Sequence, residues 1–315
     1  MADSIAKLHQ PVLCTEVLRY LSPLAGKTVV DGTLGLGGHA EAILEADKAV
    51  TVIGVDQDAE ALALASKRLA PFGSRFQSVH GNFRQLDEHL DDLDIQSVDG
   101  LLLDIGVSSL QLDAEERGFS FRREGPLDMR MNRQGDLTAA EWIRTATESQ
   151  LTDVIYRFGE ERYGRKIARA ILRAREATPI DSTIQLADIV RKAVPAKYDH
   201  RRLDPATRTF QAIRMYLNDE LGALEAGLAV GFQRLSIGGT FVVISFHSLE
   251  DRIVKRFFRE KAKACVCPPK MPECVCGKLV EADILTTRPV TATPEELVAN
   301  PRARSAKLRA AVRLV

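Results

Sequence analysis

An α/β fold, built on a doubly wound parallel sheet that is broken by an all-helical insertion, is predicted by three features of this 315-residue chain. Short runs rich in Val, Ile and Leu alternate with helix-period segments through the first third. From Thr138 to Pro195 the pattern is helical throughout. The alternation then resumes, so a sheet begun early is completed late.

The elements follow in order. "KTVVDGT", "AVTVIGVDQD" and "DGLLLDIGVSS" read as strands, with "HAEAILEA" and "AEALALASKRLA" as the helices between them. In the insertion, "TESQLTDVIYRFG" and "STIQLADIVRKAVP" each open on a capping box, Thr147 with Gln150 and Ser182 with Gln185. Leu217, Leu221, Leu224, Leu228 and Leu235 then make one helical stripe that Gly238-Gly239 ends, and "TFVVISF" reads as a buried strand. The expected organisation is a discontinuous domain, 1–112 with 208–315, carrying a helical domain over 113–207.

Hydrophobic residues make up 45% of the chain, ample for a buried core. Forty-three basic side chains balance 43 acidic ones, so the overall charge argues for neither a nucleic acid nor a membrane surface, and any polyanion site must come from local clustering. No apolar run approaches the roughly 18 residues of a membrane span, and "MADSIAKLHQPVL" lacks the apolar centre of a signal peptide. A cytoplasmic location without membrane contact is the expectation. Cys14 stands alone, while Cys265, Cys267, Cys274 and Cys276 crowd one stretch, a distribution unlike a disulfide framework. Two C-x-C pairs bite more tightly than the C-x-x-C of most zinc sites. The sequence therefore favours no metal, with a reduced Pro-rich loop ahead of a structural zinc.

The glycine-rich turn in "VVDGTLGLGGHAEAIL" links a strand to a helix. Gly35-x-Gly37-x-x-Ala40, with Asp56 ending the next strand to meet ribose hydroxyls, satisfies a loose dinucleotide fingerprint. Asp31 ends the preceding strand, where it would repel a pyrophosphate at the helix N-terminus. Asp104 ends a later strand at the same carboxyl edge. Three acidic strand ends suit a nucleoside that carries an ammonium and a sulfonium, namely S-adenosylmethionine. The plainer alternative is that all three aspartates only cap turns.

Basic stretches surround this site in the sequence. "RGFSFRREGPLDMRM" interleaves Phe119, Phe121, Met129 and Met131 with Arg122, Arg123 and Arg130, a composition that stacks on unpaired bases or packs a crossover loop. "RRLDPATRTFQAIRMY" adds Arg201, Arg202, Arg208 and Arg214. "SFHSLEDRIVKRFFREKAK" places His247 and Ser248 at a strand end, pairs Ser248 with Asp251 as a capping box, and presents Arg252, Lys255 and Arg256 on the helix. "NPRARSAKLRAAVRLV" contributes Arg302, Arg304, Lys307, Arg309 and Arg313 with no acidic residue. Such clusters in a neutral chain suggest a phosphate-binding face, against the alternative of a solvated surface.

With these stretches assembled, the chain resembles the bacterial 16S rRNA (cytosine-N4) methyltransferase family, RsmH/MraW. The resemblance runs nearly end to end, through "HQPVLCTEVL", "VDGTLGLGGHAEAIL", "LLLDIGVSSLQLDAEERGFSFRREGPLDMRM", "GEERYGRKIARAI", "PATRTFQAIRMYLNDEL", "ISFHSLEDRIVKRFF" and "NPRARSAKLR". It implies a class I, Rossmann-like S-adenosylmethionine-dependent methyltransferase sheet with an inserted helical domain. Cofactor contacts carry over to Gly37, Gly38, His39, Asp56, Phe83, Asp104 and Gln111. The implied reaction is methyl transfer to the exocyclic amine of one cytidine in the decoding centre of 16S rRNA, within the small ribosomal subunit. Asp204 stands where family members often have His, and the cysteine loop occurs in only some of them. The Asp/Asn-Pro-Pro-aromatic tetrad of other amino-methyltransferases is replaced by Asp104-Ile-Gly-Val, so the candidate proton acceptors are Asp104 or a backbone carbonyl of "DIGVSS", then Ser108 and His247. The insertion is a candidate for RNA docking or for pairing two copies as a homodimer. Two rival classes remain at this point: a non-catalytic RNA- or DNA-binding protein with a vestigial cofactor site, and an NAD-dependent oxidoreductase.

Overall fold

The computed structural model describes residues 11–135, 137–195, 204–268, 273 and 275–315, and the chain divides into two compact units. The first comprises residues up to Gly106 together with Leu221–Val315, and the second Val107–Glu220. The first opens with α1 (Cys14–Leu21), β1 (Thr28–Asp31), α2 (Gly38–Ala46), β2 (Thr51–Asp56), α3 (Ala59–Leu69), β3 (Phe76–His80), α4 (Leu86–Asp91) and β4 (Val98–Asp104). The second holds α5 (Ser109–Asp113), α6 (Ala139–Thr145), α7 (Glu148–Gly159), α8 (Gly164–Ala177), α9 (Thr183–Ala193) and α10 (Pro205–Leu217). The chain then continues through α11 (Glu220–Arg234), β5 (Leu235–Ser245), α12 (Ser248–Lys261), β6 (Ala282–Ile284), α13 (Pro294–Ala299) and β7 (Lys307–Arg313). Among the described residues, no helix is long and apolar enough to cross a membrane.

The first unit is a seven-stranded sheet in the order β3-β2-β1-β4-β5-β7-β6. The first five strands in that order pair in parallel, and β7 runs antiparallel to both β5 and β6. This is the class I methyltransferase arrangement, with its order reversing between β1 and β4. Strand periodicity divides the side chains between two cores. Val29, Val52, Leu102 and Val242 pack with Val17, Ile43, Leu44 and Leu69 on one face, while Val30, Ile53, Leu101 and Val243 pack with Leu90, Leu228 and Phe258 on the other.

Two sequence expectations are corrected here. The leucine stripe is not one helix: α11 ends at Arg234, Leu235 already belongs to β5, and Gly238-Gly239 lies inside that strand. Gly238 has φ 81°, and the β4–β5 register shifts between Val98 and Gly100, so the glycines absorb a bulge where a helix stop was expected. Part of the basic C-terminal stretch is likewise a strand, β7, while Arg302 and Arg304 lie in the 3₁₀ turn before it. Arg309, 6% exposed, donates to Asp251 at 2.7 Å, and Arg313 donates to the carbonyls of Gln233 and Leu235.

The second unit has its own core, in which Trp142, Leu151, Ile155, Ile171, Leu186 and Phe210 are buried. The capping boxes at Thr147–Gln150 and Ser182–Gln185 form as expected, joined by Thr138–Glu141. Because Phe210, Ala212 and Ile213 complete this core, α10 falls wholly in the second unit, where the boundary at 208 divides it. The aromatic and methionine residues of the 117–131 loop are also core. Phe119, Met129 and Met131 are buried, Phe121 meets Phe210 edge-on, and the buried Arg117 donates to the Arg130 and Met131 carbonyls. These side chains pack the loop instead of forming a platform for bases.

Gly125 in that loop approaches backbone so closely that an added Cβ would lie inside the van der Waals envelope of the Glu115 carbonyl oxygen. Backbone cannot swing aside as a flexible side chain does. Gly125→Ala is expected to destabilise the second unit by about 2–3 kcal/mol. Urea unfolding, with limited proteolysis of residues 107–220, checks this; a midpoint equal to wild type would show that the loop yields.

Candidate functional site

Open α/β sheets bind ligands at the carboxyl edge where the strand order reverses, here between β1 and β4. Asp31 ends β1, Asp56 ends β2 and Asp104 ends β4, so strand length and register bring all three predicted carboxylates to that edge. The loop after β1 is tied down by backbone. Gly32 N–H donates to the Leu102 carbonyl, Leu34 N–H to that of Val55, and Gly37 N–H to that of Leu34. Gly35 and Gly37 adopt φ 53° and 78°, and a side chain at Gly37 would press on Leu69. Gly37 is the N-cap of α2 and brings no side-chain cap, leaving the first N–H groups of α2, from Gly38 on, without a side-chain partner at the N-cap.

Asp56 fastens this loop. Its carboxylate accepts from Gly35 N–H at 2.7 Å and from Asp58 N–H at 2.8 Å, and burial raises its pKa to about 6 despite both bonds. Asp31 is 1% exposed. Burial lifts its carboxyl to about 7, against the pull of His39 and the Thr33 N–H, and with a push from Asp104 and Asp56. His39, delivered by the first turn of α2, sits with Nε2 3.6 Å from Asp104 Oδ2. Burial opposes its charge, yet Asp104, Cys14 and Asp31 together raise it to about 10, so it stands as an imidazolium among carboxylates.

Among the described residues, buried side-chain atoms without a hydrogen-bond partner occur in this cluster and also elsewhere, His247 Nε2 and Glu250 Oε1 included. Asp104 Oδ1 and both ring nitrogens of His39 are buried with no hydrogen-bond partner. Buried polar atoms left this way await a ligand or water. Three carboxyls against one imidazolium fit a ligand with cationic and hydrogen-donating groups, and disfavour a pyrophosphate. Phe83 lies beside the loop, its Cβ 3.2 Å from where a side chain at Gly32 would project, on a 3₁₀ turn capped by Asn82.

Two participants escaped the sequence reading. Thr33 Oγ1 accepts from Asp104 N–H at 2.6 Å and so couples the glycine loop to β4. Cys14, read as solitary, contributes its thiol to the surroundings of His39. The "DGT" spacing was a visible signal for Thr33; Cys14 had none, since α1 reaches the site only through folding.

Ser108 and Gln111, in the second unit, form a capping box on α5, with Ser108 N–H donating to Gln111 Oε1 at 3.0 Å. The box expected at Ser248–Asp251 lies one residue earlier. His247 is the N-cap of α12, its Nδ1 accepting from Glu250 N–H, while the fully buried Glu250 accepts from Phe246 and His247 N–H. His247 thus serves the helix terminus, and Ser248 is its exposed first residue.

Among the basic residues, Arg214 grips the buried Glu220 with two bonds at 2.7 and 2.8 Å, and Arg130 grips Asp128. Both guanidinium groups serve internal pairs, because a buried carboxylate needs a counter-charge. Arg208 lies 3.6 Å from Glu161 and is half-exposed. Arg122, Arg252, Arg256, Arg302 and Arg304 are exposed, and Lys255 is partly buried. Arg201, Arg202 and Cys274 lie outside the described residues.

Ribosomal RNA small subunit methyltransferase H of Trichlorobacter lovleyi is 53% identical over 307 residues, covering 97% of this chain and 98% of that protein. The protein of the same name from Nitratidesulfovibrio vulgaris strain DP4 is 54% identical over 305 residues, covering 96% of this chain and 94% of its own. A crystal structure of an rRNA methylase from Streptococcus thermophilus superposes with a TM-score of 0.41 at 10% identity, over 96% of this chain and 94% of that one. The family model for the MraW methylases matches residues 6–314, which takes in both units, and the chain belongs to that family.

Proposed function

We propose that this protein transfers a methyl group from S-adenosylmethionine to the exocyclic N4 amine of one cytidine in the decoding centre of 16S rRNA. The observation that carries this reading is the buried, unpartnered Oδ1 of Asp104 at the order-reversal edge of a chain belonging to a methylase family. Membership in that family, with full-length relatives named as small-subunit rRNA methyltransferases, supports an enzyme over a vestigial nucleic-acid binder. The acidic edge supports S-adenosylmethionine over NAD.

Asp31, Asp56, His39 and the 35–38 loop would hold the cofactor, Asp31 toward its ammonium and Asp56 toward its ribose. Bound there, S-adenosylmethionine supplies an electrophilic methyl group on a sulfonium. A cytosine amine is a poor nucleophile because its lone pair is conjugated into the ring. Asp104 Oδ1 accepts a hydrogen bond from that amine, returns electron density to nitrogen, and takes the N–H proton as the amine is alkylated. A target splayed out of its stack gains most of its rate from being held in line. The imidazolium of His39 keeps the Asp104 carboxylate oriented by charge, and Thr33 fixes its backbone.

Incubation with methyl-labelled cofactor and small subunits from cells lacking the endogenous activity, followed by nucleoside analysis, is expected to place label on the amine of a single cytidine. No label despite tight cofactor binding would overturn the rRNA assignment. The exposed Arg252, Arg256, Arg302 and Arg304 are proposed phosphate contacts. Subunit binding should weaken about 10- to 100-fold between roughly 50 and 200 mM salt. A flat response by filter binding would remove them from that role.

A further inference from the structure

We propose that Cys265, Cys267 and Cys276 bind a structural zinc ion, at a site separate from the carboxyl-edge cluster. Their three sulfurs lie within 4.8 Å of one another, and the Cys265 and Cys276 Sγ atoms are 3.8 Å apart. Zinc with thiolate bonds of about 2.3 Å in a tetrahedron requires sulfurs about 3.8 Å apart. The Cys267 N–H donates to Cys265 Sγ at 3.3 Å, a bond that favours the thiolate and fixes its direction. Gly277, directly after Cys276, has φ 59°, so the chain turns back at that ligand.

The loop itself supplies a second argument. It leaves α12 at Lys261 and returns at Glu281, where Glu281 N–H donates to the Lys261 carbonyl at 2.9 Å and the two side chains pair. Between these points the described apolar residues are outside any core: Val266 is 59% exposed, Val275 71% and Leu279 66%. A segment with no hydrophobic core keeps a fixed shape when a metal ties it. Binding exchanges the three thiol protons for the ion and releases them to solvent, leaving a site of net charge −1. Lys278 and Lys261, both paired with Glu281, lie at the base of that loop. The fourth coordination position belongs to a water or a further donor.

The test is elemental analysis of the full chain, purified without a histidine tag or chelator. One zinc per chain is expected to survive dialysis in wild type and in Cys14→Ser, and to fall to background in Cys265→Ser and Cys276→Ser. Cobalt exchange should give the charge-transfer and visible bands of tetrahedral thiolate coordination. Should the serine variants misfold, the wild-type metal content and cobalt spectrum still decide the matter. Metal removal is expected to expose bonds within 262–281 to protease while the far-ultraviolet dichroism of the chain stays unchanged. A wild-type chain that takes up no zinc under reducing conditions, that holds iron or copper instead, or that yields a Cys265–Cys276 disulfide peptide from anaerobic preparation, overturns the site.

Discussion

Asp104→Asn is expected to lower turnover by about two to four orders of magnitude while cofactor affinity changes far less, because an amide keeps the shape of the carboxyl and cannot take the amine proton. The backbone is spared, since the bond to Thr33 Oγ1 comes from Asp104 N–H and not from its side chain. Asn still offers an acceptor oxygen, so Asp104→Ala should lose more than Asp104→Asn, the difference reporting the hydrogen bond without the proton transfer. Single-turnover labelling at saturating cofactor isolates this step from binding. Turnover near wild type in both variants would eliminate the carboxylate as acceptor and point to a backbone carbonyl of the 104–109 segment.

Asp31→Asn should act on stability and affinity in opposite senses. The carboxyl titrates at about 7 in the fold against its ordinary 3.8 unfolded. Between those values the folded chain holds a proton that the unfolded chain has lost, so this group makes stability fall as pH rises through the window, and the full cost is present above it. The substitution removes that slope and is expected to stabilise the unliganded protein at pH 8 by up to about 4 kcal/mol, with little effect at pH 4. It should weaken S-adenosylmethionine by about 10- to 100-fold through loss of a charge-assisted contact. Asp56, raised to about 6 by burial, acts in the same direction over a narrower range, which is why the wild-type minus variant difference is the quantity to follow. Urea unfolding across pH and calorimetry with the cofactor supply the two numbers. Equal stability at pH 8 with unchanged affinity would leave Asp31 as a turn residue only.

What the sequence made visible was local. Strand-terminal Asp31, Asp56 and Asp104 could be placed because a short run of aliphatic residues marks where a buried parallel strand stops. Capping boxes at Thr147 and Ser182 could be placed because both partners sit three residues apart. What stayed hidden depended on which side chains folding buries and which partner each then takes, whether near or distant in the chain. Nothing near Arg309 announces Asp251, so a strand ion pair reads as a basic tail. Arg214 looked like a phosphate contact until Glu220 proved to be buried beside it. His247 was read for its chemistry, and the fold uses its Nδ1 to cap α12. The cysteine stretch was read from spacing alone, which says little about sulfur–sulfur distance once a loop closes on itself.

The strand order also governs the sequence of events during synthesis. β7 follows both β5 and β6 in the chain, yet it lies between them in the sheet. Until residue 313 has left the ribosome, β5 has an open edge and β6 has no neighbour. The helical unit, contiguous over 107–220 and possessing its own core, can condense well before that. A nascent chain halted a few residues early would therefore carry a finished insertion on an unfinished sheet, with hydrogen-bonding backbone exposed and open to pairing with another copy.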